Sequence, residues 1–244
     1  MQEHLCQPAH MCNTPATVRS DPGRWGGNGA LDEALRAAGL GAGDTLLVAS
    51  GRVLHALSRQ PLPSLSGVLI CPTVGGTSEP EAWHQTNEIV REVAERVGGR
   101  PQFLWAPALP SPAMRASLDQ DPDFRGVTGH WDVAKAALVG VGAPPLQRDS
   151  ISTAVPLGSR FIRRAAGDVC LNFYDRRGRG IEFEGSDRMV RISPAQLRAV
   201  PTVIAAATGK DKAGSIIAGA RAGYFDELVT DRETASAVLA ELRP

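Results

Sequence analysis

The sequence carries no excess of charge of either sign. Lysine plus arginine and aspartate plus glutamate each number 26, so the formal net charge is zero. Chains that bind nucleic acid usually show a basic surplus, and its lack weighs against such binding here unless a local patch hides in the neutral total. Cysteine is sparse as well. Cys6, Cys12, Cys71 and Cys170 match neither a CxxC ligand pair nor a disulfide framework. Cys71 and Cys170 lie in apolar runs and read as small buried hydrophobes. His4, Cys6, His10 and Cys12 share a Pro- and Asn-containing stretch without the regular spacing of zinc sites, so no metal is expected there. No apolar stretch approaches the ~20 residues that cross a bilayer. The opening MQEHLCQPAH has neither the charged start nor the apolar core of a secretion signal. These absences point to a cytoplasmic location without a membrane partner. Two nucleotide-binding fingerprints, the Walker motif and GxGxxG, are also missing. His55, His84 and His130 fit no Ser-His-Asp or Cys-His pattern.

What is present is a regular alternation. The chain of 244 residues is 43% hydrophobic and 21% charged, which suits one large α/β domain. Residues 1–29 contain Pro8, Pro15, Pro22 and GRWGGNG with no helical period, and predict a mobile tail. From Ala30 the pattern changes. Leu31, Ala34, Leu35 and Ala38 share a helix face that Gly39 and Gly41 terminate. Apolar runs then follow at 45–49, 67–71, 103–106, 137–141, 169–174, 202–207 and 227–230, with helical stretches between most of them. Ser78 with Glu81, and Thr230 with Glu233, have capping-box spacing, and Ser111-Pro112 and Ser193-Pro194 read as helix starts. Strands alternating with helices indicate a mostly parallel sheet with helices on both faces. The near-continuous apolar runs agree with burial on both sides. Residues 175–192 break the pattern and suggest a small antiparallel insert.

In such a sheet, ligands bind beyond the carboxyl ends of the strands. Three loops have that position. Ser50, Gly51 and Arg52 offer a hydroxyl, close backbone approach and a cation, although any strand-to-helix turn also favours a glycine. Gly75, Gly76 and Thr77 form the better cradle for an anion by composition, the alternative being a plain flexible loop. In Gly209-Lys210-Asp211-Lys212 a lysine opens a helix, against the helix dipole, which a bound phosphate would reverse, the alternative being two solvated surface lysines paired with Asp211. Asp168 and Asp175 flank a strand and are possible acceptors for sugar hydroxyls, or simple turn formers. His84, near the second loop, could line a pocket but reads first as a helix-surface residue. Arg160, Arg163 and Arg164 could meet an acidic ligand or a partner subunit, but read first as a solvated face.

The segments GDVCLNFYD and ISPAQLRAVPTVIAAATGKDKAGSIIAGARAGYFDELVTDRETA resemble the effector-binding domain of SorC/DeoR-type bacterial transcriptional regulators. GGTSEPEAWHQTNEIVREVAERVGGRPQFLWAPAL and ALVGVG are similar to further elements of it, so the likeness covers residues 30–244. The resemblance implies a Rossmann-like fold, similar to that of sugar-phosphate isomerases and CoA transferases. It also implies a non-enzymatic sensor of a phosphorylated sugar, with no cofactor, in a homo-oligomer. Carried over residue by residue, it places Ser50, Gly51, Arg52, Gly75, Gly76, Thr77, Asn87, Asp168 and Lys212 at the ligand, Lys212 at the phosphate. Family members read DNA through an N-terminal helix-turn-helix that this sequence does not show, which suggests either a fragment or a solo sensor. The first loop also departs from the family, lacking the threonine commonly found after its arginine. An isomerase or deaminase on the same fold, and an oligomerisation domain without a ligand, are the competing readings.

Overall fold

The computed structural model describes residues 3–4, 17–21, 29–149 and 151–242. Its main sheet contains β1 (Glu3–His4), β2 (Thr17–Asp21), β3 (Thr45–Val48), β4 (Leu69–Pro72), β5 (Arg100–Pro101), β6 (Ala136–Gly140), β9 (Thr202–Ala206) and β10 (Glu227–Asp231). A separate hairpin joins β7 (Gly167–Val169) to β8 (Asn172–Tyr174). The helices are α1 (Gly29–Ala37), α2 (Arg52–Ser58), α3 (Thr86–Val97), α4 (Pro112–Leu118), α5 (Pro122–Val133), α6 (Pro194–Ala199), α7 (Ala213–Arg221) and α8 (Arg232–Leu242).

The sheet order is β1-β2-β10-β9-β6-β3-β4-β5, parallel throughout except for β1. All four residues of β3 and the first four of β6 are buried, although successive side chains point to opposite faces. Both faces of the sheet are therefore covered, as the apolar runs predicted. The chain leaves β3 outward to β4 and β5, then crosses back to lay β6 on the other side of β3. This reversal opens a crevice between the ends of β3 and β6. Residues 143–192 carry the hairpin and a small core of their own, in which Val155, Ile162, Phe173 and Phe183 pack together. The insert returns to the sheet where Ile192 N–H donates to the Thr73 carbonyl.

Several local expectations hold. Gly39 ends α1 at positive φ, Ser111 caps α4, and Ser193 with Gln196 makes a complete capping box on α6. Others are corrected. Within the segment expected to be a tail, β2 pairs with β10 from Thr17↔Glu227 to Asp21↔Asp231 and Gly29 opens α1; the rest of 1–29, apart from β1, lies outside the described residues. One apolar side chain anchors β2, since Val18 is buried while Arg19 pairs with Glu33 and Glu227 at 2.6 and 2.8 Å. A single apolar residue gives no periodicity to read.

Ser78 and Glu81 cap no helix. Pro80 disfavours helical backbone at Glu79, and α3 starts only at Thr86, after one 3-10 turn at Ala82–His84. The run 103–106 is not a strand either. It continues past the two-residue β5 as a loop in which the Phe103 ring lies tilted against that of an 81%-exposed Trp105. The run 169–174 is a turn and a strand, because the chain reverses at Cys170 and Leu171. Asp231, not Thr230, caps α8: its Oδ1 accepts from Thr234 N–H at 2.7 Å, while the Thr230 hydroxyl donates to the Ala207 carbonyl.

Candidate functional site

A cavity of about 270 Å³ occupies the crevice at the strand reversal. Its floor is the chain leaving β3 (Ala49 to Leu54), β6 (Gly140 to Ala143) and β9 (Ala206, then Asp211 and Lys212). The 3-10 turn contributes Trp83 and His84, and the insert contributes Gln147, Arg148, Asp149, Asp168, Cys170 and Leu171. The volume is near the lower end of the ~300–1,000 Å³ typical of small-molecule sites, so its occupant is small.

Six of the nine residues expected at a ligand, Ser50, Gly51, Arg52, Thr77, Asp168 and Lys212, line this one cavity. Gly51 holds φ +140°, which side-chain-bearing residues rarely adopt, and its N–H donates to the Trp83 carbonyl at 2.8 Å. Arg52 then lies over the Trp83 ring at 5.3 Å and reaches Asp149 at 3.5 Å. Lys212 points inward from the start of α7 and donates to the Val141 carbonyl at 3.0 Å. Burial, together with the nearby Arg148 charge, lowers its pKa below the usual lysine value. Lys210 turns away and pairs with Glu233 on the surface at 2.6 Å.

Gly75, Gly76 and Asn87 are not brought to the cavity. A Cβ on Gly75 would lie 2.6 Å from the Ala106 carbonyl oxygen, so this glycine serves a close backbone crossing. Gly76 continues that crossing, with its N–H donating to Ala106 and its carbonyl accepting from Ala108. The Asn87 side chain clamps Leu104, donating to its carbonyl at 3.2 Å and accepting from its N–H at 3.1 Å. Asp175 is a turn former, its Oδ1 accepting from the N–H groups of Arg177 and Arg179.

Arg148 is a cavity residue that sequence reasoning missed. It donates from Nε to the Ala143 carbonyl at 2.7 Å and from Nη2 to Asp168 Oδ1, in a pair whose side chains are only 16% and 9% exposed. Gly142 makes room for both partners, because a Cβ there would collide with the carboxylate and the guanidinium. Asp168 Oδ2 accepts from Leu171 N–H at 2.9 Å, leaving the carboxylate anchored on both oxygens. Trp83 was missed as well, and His84 lines the cavity instead of a helix surface. Burial lowers the His84 pKa, with Arg52 and Arg148 acting the same way against Glu79 and Glu81. Burial pushes the Cys170 thiol up to about 12, so it stays protonated near neutral pH. The cavity thus brings three cationic side chains, Arg52, Arg148 and Lys212, together with the carboxylates of Asp149, Asp168 and Asp211. Arg52 reaches Asp149 and Arg148 pairs with Asp168, whereas Lys212 contacts a carbonyl, so the set offers donors for an anion and acceptors for hydroxyl groups.

Known proteins share this frame. A family model for sugar-binding domains matches residues 29–240. The chain belongs to the sugar-binding domain family of SorC/DeoR-type transcriptional regulators. Among curated relatives, the sorbitol operon regulator of Klebsiella pneumoniae is 32% identical over 206 residues, covering 81% of this chain and 65% of the relative. The chain therefore spans just under two thirds of that regulator's length. The crystal structure of full-length SorC from Klebsiella pneumoniae superposes with a TM-score of 0.79 at 28% identity, over 93% of this chain and 76% of that one. The probable sor operon regulator from Shigella flexneri gives 0.74 at 27% identity, over 91% and 92%. Within this family the Rossmann-like frame found here is the sugar-binding domain of a regulator. Among the described residues no helix is long and apolar enough to cross a membrane.

Proposed function

We propose that the cavity at the strand reversal binds a small phosphorylated sugar as an effector, without turning it over. The observation that carries this reading is the convergence of Lys212, Arg52 and Arg148 with Asp168 in one small cavity. The phosphate is held by Lys212 and the Ser50–Arg52 loop, and the sugar hydroxyls by the polar groups around Asp168. The anchoring of Asp168 by Arg148 and Leu171 N–H favours a fixed acceptor over a general base, which must move a proton. The domain works in a homo-oligomer, and any operator is read through a helix-turn-helix, as the resemblance to SorC/DeoR-type regulators implies. Effector binding changes operator affinity because the sugar phosphate binds two domain arrangements unequally.

A thermal-shift screen of pentose and hexose monophosphates, repeated with Lys212→Ala, tests the reading. At least one compound should raise Tm, and the variant should lose most of that shift. Turnover of any of these compounds would establish the isomerase or deaminase reading instead. The absence of any shift would leave an oligomerisation domain without a ligand.

A further inference from the structure

The turn beside Asp168 is built from residues that do not favour it. Val169 and Asn172 pair across the hairpin, leaving Cys170 and Leu171 as its two central residues at φ 50° and 60°. Two-residue turns of this hand normally use Asn and Gly, because a Cβ crowds the following carbonyl in left-handed backbone. Among the described residues, only these two non-glycines have positive φ. Such a conformation persists where its surroundings over-determine it.

The inner support is Asp168, whose Oδ2 accepts from Leu171 N–H. Asn172 Nδ2 adds a long contact to the Cys170 carbonyl at 3.5 Å. The remaining support comes from outside the hairpin. Arg191, on a segment bridged antiparallel to Val74, donates from Nη1 to the Leu171 carbonyl. Burial lowers the Arg191 pKa, and the guanidinium makes no ion pair with a carboxylate among the described residues. It lines a separate cavity of about 510 Å³ and not the sugar cavity, whose wall includes Cys170 and Leu171. A partly buried cation with Glu182 and Asp168 in its surroundings and a hydrogen bond to a turn carbonyl does more than pack, since packing alone would be served by an apolar residue.

We propose that Arg191 is a positioning residue for the sugar cavity. By gripping the Leu171 carbonyl it keeps the turn left-handed, which holds Leu171 N–H on Asp168 and fixes the carboxylate that faces the ligand. The inference rests on reading the cavity as the sugar site, and the experiment separates the two.

Hydrogen exchange of the ligand-free protein, read on residues 166–175, is compared for wild type, Arg191→Met and Arg191→Lys. The same proteins are titrated with the pentose and hexose monophosphates. Losing a charged hydrogen bond should speed exchange of this segment in Arg191→Met by about ten-fold, while residues 202–206 stay unchanged. Affinity for the tightest-binding compound should fall about ten-fold, and Arg191→Lys, which keeps one donor, should recover both within about three-fold. Unchanged exchange in Arg191→Met overturns the proposal. Faster exchange with unchanged affinity also overturns it while leaving the sugar site in place. If wild type binds none of the compounds, the sugar reading fails, and exchange alone decides whether Arg191 holds the turn. Should Arg191→Met not fold, Arg191→Lys decides, and a loss of about ten-fold there overturns the proposal.

Discussion

Two glycine loops follow neighbouring parallel strands in this protein, and they have opposite fates. Ser50-Gly51-Arg52 leaves β3 and lines the cavity, whereas Gly75-Gly76 leaves β4 and does not, although Thr77 just beyond it does. By composition the second is the better anion cradle, with two glycines and flanking hydroxyls. Position decides against it. β3 borders the reversal of strand order, so its loop faces the loop leaving β6 across an open crevice. β4 lies one strand farther out, where the gap above it is filled by the chain at Ala106–Pro107. Gly51 answers an unusual φ beside the cavity and Gly75 a close backbone crossing; the fold determines which demand each glycine meets.

Substitutions can break or sharpen this contrast. Gly75→Ala should have the largest effect, a loss of about 3 kcal/mol in stability, because its Cβ meets unyielding backbone in Ala106 and Pro107. Denaturant unfolding measures it, and a loss below about 0.5 kcal/mol would show that the crossing is loose. Lys212→Ala should weaken sugar-phosphate binding by about 2 kcal/mol, roughly 30-fold, while Lys210→Ala stays within about two-fold. Calorimetric titration separates them, and equal losses would move the phosphate site away from the cavity.

Asn87→Ala should cost about 1.5 kcal/mol of stability through its two lost hydrogen bonds to Leu104, with affinity unchanged. A large drop in affinity at full stability would instead put Asn87 at the ligand. Gly51→Ala should cost about 1 kcal/mol, from backbone strain alone, since no atom lies within 4 Å of its added Cβ. The smallest effect is on pH. The folded-state pKa of Lys212 lies below its unfolded value, so between the two the unfolded chain binds more protons and stability rises with pH. An anion prefers the charged lysine, so affinity should fall over the same interval below the ordinary 10.5. Titrations from pH 8 upward should show this decline in wild type and a flatter profile in Lys212→Arg.

Much of the frame was legible because parallel strands buried on both faces leave continuous apolar runs, as in β3, β6 and β9. Reading failed where pairing, not patterning, made the element. β2 forms because β10 offers an open edge. The hairpin at Cys170–Leu171 lacks the Asn-Gly signature that marks such turns, since its conformation is imposed by Asp168 and Arg191. The helix expected from Ser78 gave way to the proline two residues later.

At the cavity the same division holds. Lys212 stood out as a cation at a helix start, where local electrostatics asks for an anion. Arg148 carried no such signal, because its role arises from facing Asp168, twenty residues further along the chain. The sequence by itself determined the alternation of elements, the family likeness of the closing third and the chemistry each loop could offer. Only the tertiary structure decided which loops meet, because strand order is set by pairing between distant segments and leaves no mark on any one of them.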